Sequence, residues 1–314
     1  MSKKNNFNNI PKILIGILTY CPEDAPKRLE IMKKALPTLK VLAGENVFFS
    51  LWDNNSCSDA KEFLENLDFI DFKYFSDKNH YDVAPIQFLS RAAELINADF
   101  VCHMEDDLQI CSEGSKEKLD ILMEWLMGLE DIGGSRILKW EIDNIEKYNK
   151  HNPDQSKVDR ANMQSMYNVI TGKRLTIEKN NLTLSTKEVF RVAKTNWHWY
   201  NFPIVCKTNI YKKVIPTDNI EPLQAQEGLM MKKYAGTGLY MGAMDLGLVT
   251  HLAPPTSTSG TSMRHHEMKK NRIAKIKHPN MGKDFPVIEM STALEEVTLA
   301  LKEMEKSLEK AQVI

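Results

Sequence analysis

Three consecutive acids, Glu105, Asp106 and Asp107, follow the short apolar run DFVCHM. Like charges a few ångströms apart repel, which raises at least one pKa unless a cation lies between them. Mg²⁺ and Mn²⁺ prefer hard oxygen ligands and share them between one or two carboxylates and substrate phosphates. The triplet is therefore a candidate site for a divalent cation with a diphosphate, centred on Asp107, with Glu105 and Asp106 toward the diphosphate-bearing ligand. A solvated loop or a helix N-cap would hold the same acids. His251 ends the apolar run LVTH and is a candidate second metal ligand. Its structural alternative is a satisfied core or loop histidine. Glu227 is a candidate general base, help that is typically worth about 10²- to 10⁴-fold in rate. Asp245 is the second candidate for that role. An exposed first-turn acid favoured by the helix dipole would also account for Glu227.

Asp53 ends the run VFFSLWD and can accept a hydrogen bond from a base or ribose. Asn54 and Asn55 beside it read equally well as turn residues. Thr19 and Tyr20 close the first apolar run, and Asp82 and Arg91 are weaker candidates near the same ligand. Trp197, Trp199 and Tyr200 can stack on a sugar or base, or simply pack.

These residues need elements to position them. KILIGILTY reads as a buried strand ended by a Cys-Pro loop. Leu29, Met32, Leu36 and Leu39 follow at helical spacing. Val47 opens a second strand, Asp59 to Leu67 reads as a short helix, and DFKYF from Asp71 as a third strand. Ile86, Leu89, Ala93 and Ile96 repeat at helical spacing before the fourth strand, DFVCHM. Such alternation predicts an α/β fold with a mainly parallel sheet covered on both faces. Ligands of such sheets bind beyond the carboxyl ends of the strands, where Thr19, Asp53 and the acid triplet fall. Residues from about 140 to 192 are polar and read as an insertion. Glu227 to Tyr234 reads as helical, and Leu239 to His251 as strand or loop. Thr292 to Glu295 reads as a capping box that opens a C-terminal amphipathic helix, which would pack on the domain or pair with another subunit. The expected division is a catalytic unit over 1–255 and an appendage over 256–314.

Composition narrows the classes. The 314 residues are 42% apolar and 26% charged, with a formal net charge of -1. That balance argues against a nucleic-acid polyanion as a global partner and against disorder. The stretch Arg264–His278 is the exception, with six Lys/Arg and three His. It would serve as a basic lid, bind a polyanionic acceptor such as nucleic acid, or form a solvated surface. The N-terminal dozen lacks the apolar core of a signal peptide, and no run is long enough to span a bilayer. Five cysteines with no CxxC pair suggest neither a disulfide frame nor a zinc site, so a reducing cytoplasm is expected.

ILIGILTY, LWDNNS and NHYDVAPIQFLSRAAELINADFVCHMEDDL, taken in order, resemble GT-A-fold glycosyltransferases, closest to the inverting family 2 group. The resemblance covers about residues 12 to 255. It implies a nucleotide-sugar donor, most commonly a UDP-sugar, and Mn²⁺ or Mg²⁺ as cofactor. It implies donor contacts from Thr19, Tyr20, Asp53, Asn55 and the Asn79 loop. Glu105-Asp106-Asp107 stands where the family carries its DxD motif, with Glu in the usual first Asp position. QAQEGLMMKKY places Glu227 at the family's general base, LYMGAMDLGLVTHL places His251 at a late metal ligand, and NWHWYNFPIVCKTNIYKKV matches the aromatic acceptor side.

Two other classes compete. A nucleotidyltransferase also binds Mg²⁺ on such a sheet but usually carries a Gly-rich loop after the first strand. Here that position reads TYCPEDAPKR, without glycine. A non-catalytic binding module would keep the strands but could lose Glu227 or the metal residues, and both are present.

Overall fold

The computed structural model describes residues 10–138, 175–176, 189–192, 203–216, 224–244, 247–252 and 290–312. The first half alternates as its periodicity predicts: β1 (Ile13–Thr19), α1 (Pro26–Ala35), β2 (Val47–Asn54), α2 (Ser58–Glu65), β3 (Phe72–Ser76), α3 (Val83–Leu95) and β4 (Phe100–Glu105). Pro26 sits at the start of α1, where its missing N–H costs nothing. There follow β5 (Leu108–Ile110), α4 (Ser115–Met127), β6 (Ile132–Arg136), β7 (Leu175–Thr176), β8 (Val189–Val192) and β9 (Ile204–Lys207). The chain continues with α5 (Thr208–Val214), α6 (Gln224–Gly236), β10 (Tyr240–Met244), β11 (Val249–His251) and α7 (Met290–Gln312).

The main sheet runs β3-β2-β1-β4-β9-β6-β10-β8-β7. β3, β2, β1 and β4 are parallel neighbours. β9 runs antiparallel to both β4 and β6, so β6 and its parallel neighbour β10 point the same way as β1 to β4. With the two-residue β7, which β8 sets parallel to β10, seven of the described strands therefore point the same way. β9 was not anticipated from sequence, because its four residues, IVCK, are too few to display a period.

Side chains alternate across the sheet. Ile13, Ile15 and Ile17 face Met32, Leu36 and Leu39 on one side, with Leu119, Leu122 and Leu126 of α4 in the same core. Leu14 and Val101 face α3 on the other, with Phe88, Leu89 and Ala92. The C-terminal helix joins this second layer. Its stripe of Met290, Ala293, Val297, Ala300 and Met304 is buried in the core that α3 supplies. Burying a side chain such as Val297 is worth roughly 1.5–3 kcal/mol. The helix thus packs on its own chain, and the apolar face that could have met a second subunit is covered. Its start differs from expectation: Met290 is already helical, so Thr292 and Glu295 lie inside the first turns and form no capping box. None of the described helices is long and apolar enough to cross a membrane.

Candidate functional site

The three acids at the end of β4 divide into one that is tied down and two that stay partly open. Asp106 is only 2% exposed and is tied down. It takes Arg28 Nη2 at 3.0 Å from α1 and the Tyr20 backbone N–H at 3.1 Å from the end of β1. Arg28 itself is 20% exposed and is pushed above its ordinary pKa, first by Asp106, with burial opposing and with Asp107 and Glu105 adding to the rise. Asp106 therefore anchors two loops. Arg28 was not singled out from sequence. Its signal was available: a cation in the first turn of the helix after β1, on the edge where three acids converge.

Asp107 and Glu105 remain partly open. The antiparallel ribbon of β5 and β11 sets His251 opposite Leu108, and the Leu252 N–H donates to the Asp107 carbonyl at 2.8 Å. This pairing brings His251 Nδ1 to 3.2 Å from Asp107 Oδ1. One ligand atom each from Glu105, Asp107 and His251 lie within 4.8 Å of one another. Glu105 therefore groups with the metal candidates, whereas the sequence reading sets it toward the diphosphate-bearing ligand. Burial pushes the Glu105 carboxyl well above the usual carboxylate range. Asp107, Asp82 and Asp106 add to the rise, and Arg28 opposes it. Three carboxyls, those of Asp106, Asp107 and Glu105, thus act on the one Arg28 guanidinium. Two carboxylates and an imidazole fit Mn²⁺ or Mg²⁺, and a divalent cation would remove the repulsion that raises Glu105.

Around the cluster, the other candidates divide between scaffold and rim. Thr19 and Asp53 pair in register at the ends of β1 and β2. Thr19 Oγ1 donates to Asp53 Oδ1 at 2.8 Å, and the Ser56 N–H and hydroxyl also donate to that carboxylate. Asp53 is 0% exposed, so in this arrangement it ties loops together and does not face solvent. Asn55 is exposed, with φ 60, the left-handed turn geometry that asparagine tolerates. Asn79 Oδ1 accepts the Tyr81 N–H at 2.8 Å, and Asp82 immediately precedes α3, close enough to Glu105 to act on its pKa. Arg91 is not brought to the cluster: eight residues beyond Val83, its Cα lies about 12 Å down α3, at 1.5 Å per residue.

Glu227 lies in the first turn of α6. α6 runs into β10, whose first residue pairs with the first of β6, so the helix begins toward the carboxyl edge. The side chain of Glu227 lies outside the described residues, as do Asp245, Trp197, Trp199, Tyr200 and the basic stretch Arg264–His278. His103 is a further residue that its sequence context does not single out. It shares a face with Glu105 two residues along β4, and its Nε2 is buried with no hydrogen-bond partner among the described residues.

No protein-family profile and no curated protein matches the chain. Solved structures do. A mannosyltransferase, PcManGT from Pyrobaculum calidifontis, described in complex with GDP-Man and Mn²⁺, superposes with a TM-score of 0.51 at 12% identity. The match covers 95% of this chain and 76% of that one. TarS of S. aureus matches at a TM-score of 0.43 and 14% identity, over 91% of this chain and 43% of that one. TarS 1-349 in complex with UDP-GlcNAc matches at 0.42 and 14%, over 76% of this chain and 58% of that one. The α/β architecture described above, with its mostly parallel sheet, is a GT-A-like fold shared with that mannosyltransferase structure.

Proposed function

We propose that this chain is a metal-dependent glycosyltransferase that moves a sugar from a nucleotide-sugar donor to an acceptor hydroxyl, with inversion at the anomeric carbon. The observation that carries this reading is the convergence of Glu105, Asp107 and His251 at the carboxyl edge of a glycosyltransferase-type sheet. The PcManGT structure, described with GDP-Man and Mn²⁺, supports the ligand class. Glu105, Asp107 and His251 would hold Mn²⁺ or Mg²⁺, which when bound supplies compensation for the negative charge that develops on a departing nucleoside diphosphate. Arg28 adds fixed positive charge at the same edge. The nucleoside lies over the ends of β1 to β3, against Tyr20, Asn55 and the Asn79–Asp82 loop. Glu227 takes the proton from the attacking hydroxyl, with Asp245 next in line, and Trp197, Trp199 and Tyr200 line the acceptor side. The catalytic unit spans 1–255, and 256–314 is an appendage whose helix is docked on α3.

The test is thermal denaturation with a panel of UDP-, GDP-, CMP- and dTDP-sugars, with Mn²⁺ or with EDTA. A cognate donor at a hundred times its Kd stabilises the fold by about 2.7 kcal/mol. The expected result is a rise in Tm for one nucleotide class, present with Mn²⁺ and lost in EDTA. No rise with any sugar nucleotide, or an equal rise in EDTA, rejects the reading.

A further inference from the structure

The C-terminal helix does more than cover α3. Glu296 sits on the flank of its apolar stripe, 13% exposed, where a carboxylate is costly unless hydrogen-bonded. Its Oε1 accepts Ser76 Oγ at 2.6 Å and Tyr74 Oη at 3.3 Å, both from the carboxyl half of β3. Its Oε2 lies 3.2 Å from His80 Nε2. These partners are more than 200 residues away in sequence, so no local preference explains them.

His80 belongs to the loop between β3 and α3, which runs directly into Asp82. That loop contains Tyr81 at φ 50, in the left-handed region that a bulky side chain rarely occupies. Such a conformation costs of order 1–3 kcal/mol and persists only where the surroundings over-determine it. Here they do. Asn79 Oδ1 takes the Tyr81 N–H, and Asn54 Nδ2 donates to the Tyr81 carbonyl at 2.7 Å. Asn54 Oδ1 accepts the His80 N–H at 3.2 Å and Trp52 Nε1 at 3.1 Å. Glu296 holds the His80 ring from the far side. The segment Asn79–Asp82 is therefore clamped between β2 and the C-terminal helix, with Asp82 delivered beside Glu105.

We infer that Glu296 is a positioning residue: through His80 it fixes the shape of the Asn79–Asp82 loop, which makes the C-terminal helix part of the donor site. The inference rests on the glycosyltransferase reading for its effect on donor affinity, but not for its effect on the loop.

Two measurements on the full chain separate these. The first is hydrogen exchange of the backbone amides from His80 to Val83, which needs no ligand. In Glu296→Ala they exchange at least about tenfold faster, as expected for loss of hydrogen bonds to a charged group, while amides of β1 keep their protection. The second is the Mn²⁺-dependent donor affinity and turnover. Glu296→Ala weakens donor binding by about tenfold and changes kcat by less than about threefold, the range for losing an outer supporting partner. Glu296→Gln, which keeps an acceptor for Ser76 and a polar group facing His80, restores most of both. Should Glu296→Ala fail to fold, His80→Ala removes the loop end of the same link and is read in the same way. Unchanged exchange in the loop overturns the inference, as does a fall in kcat at unchanged donor affinity. A wild-type chain that binds no sugar nucleotide rejects the glycosyltransferase reading, and the exchange measurement still decides the clamp.

Discussion

The two edges of the main sheet carry opposite charge and handle it differently. At the amino edge, where Lys207 pairs with Phe100 at the start of β4, lies a cavity of about 720 Å³. Lys207, Lys213 and Lys233 line it, together with Glu130. Two of these lysines have built-in partners: Lys207 Nζ donates to the Leu129 carbonyl at 2.5 Å, and Lys233 Nζ to the Ile215 carbonyl at 2.9 Å. Those carbonyls lie just past the ends of α4 and α5, where helix dipoles favour cations. Among the described residues, the carboxyl edge lacks such balance. Arg28 meets Asp106 there, and Glu105 and Asp107 press against each other with no second guanidinium or ammonium beside them among the described residues. Among the described residues, the amino-edge cavity is thus electrostatically the quieter region. Crowded carboxylates at strand ends mark where a cationic ligand would complete the structure.

If that contrast is right, the largest effect belongs to Asp107. Asp107→Ala should lower Mn²⁺-dependent turnover of the donor by more than about a hundredfold, beyond the range for losing an outer partner of a metal ligand. Activity near the wild-type level in a steady-state assay would dissolve the distinction between the two edges.

A smaller effect follows from Glu105. Its folded pKa lies above its unfolded value, so between those two values the folded chain holds a proton that the unfolded chain has released. The stability from this group is present at low pH and declines as pH rises through the folded pKa. A cation must displace the same proton, so metal affinity should rise with pH, by up to about tenfold per unit while one proton is released. Calorimetric titration with Mn²⁺ in buffers of different ionisation enthalpy measures the proton count. Affinity that is flat across mildly acidic pH would show that Glu105 is no ligand.

The smallest effect is expected at the other edge. Lys213→Ala should shift stability by no more than about 0.5 kcal/mol, the ordinary range for surface positions. It should leave Mn²⁺ affinity and turnover as they are. A large loss of turnover would give the amino edge a part in the reaction.

Much of this arrangement is written locally. The β-branched run of β1, the helical spacing of Ile86, Leu89 and Ala93, and the acids that close β4 are each visible within a dozen residues. They foretell the alternation and the edge at which chemistry gathers. Their limit is range. Asp53 reads as a ligand contact in sequence, yet it is enclosed by Thr19 and Ser56 because β1 and β2 end in register. Arg91 reads as near the donor, yet the helical rise carries it away.

Chain order alone specified an α/β sheet, its acidic edge and the residue types suited to a cation and a diphosphate, because burial patterns repeat over a few residues. Which acid stays open was decided in three dimensions. Arg28 claims Asp106, the β5–β11 ribbon delivers His251 to Asp107, and Glu296 reaches back more than 200 residues to His80. Those partners meet only after the layers pack, since a hydrogen bond or ion pair depends on a few ångströms of separation and not on distance along the chain.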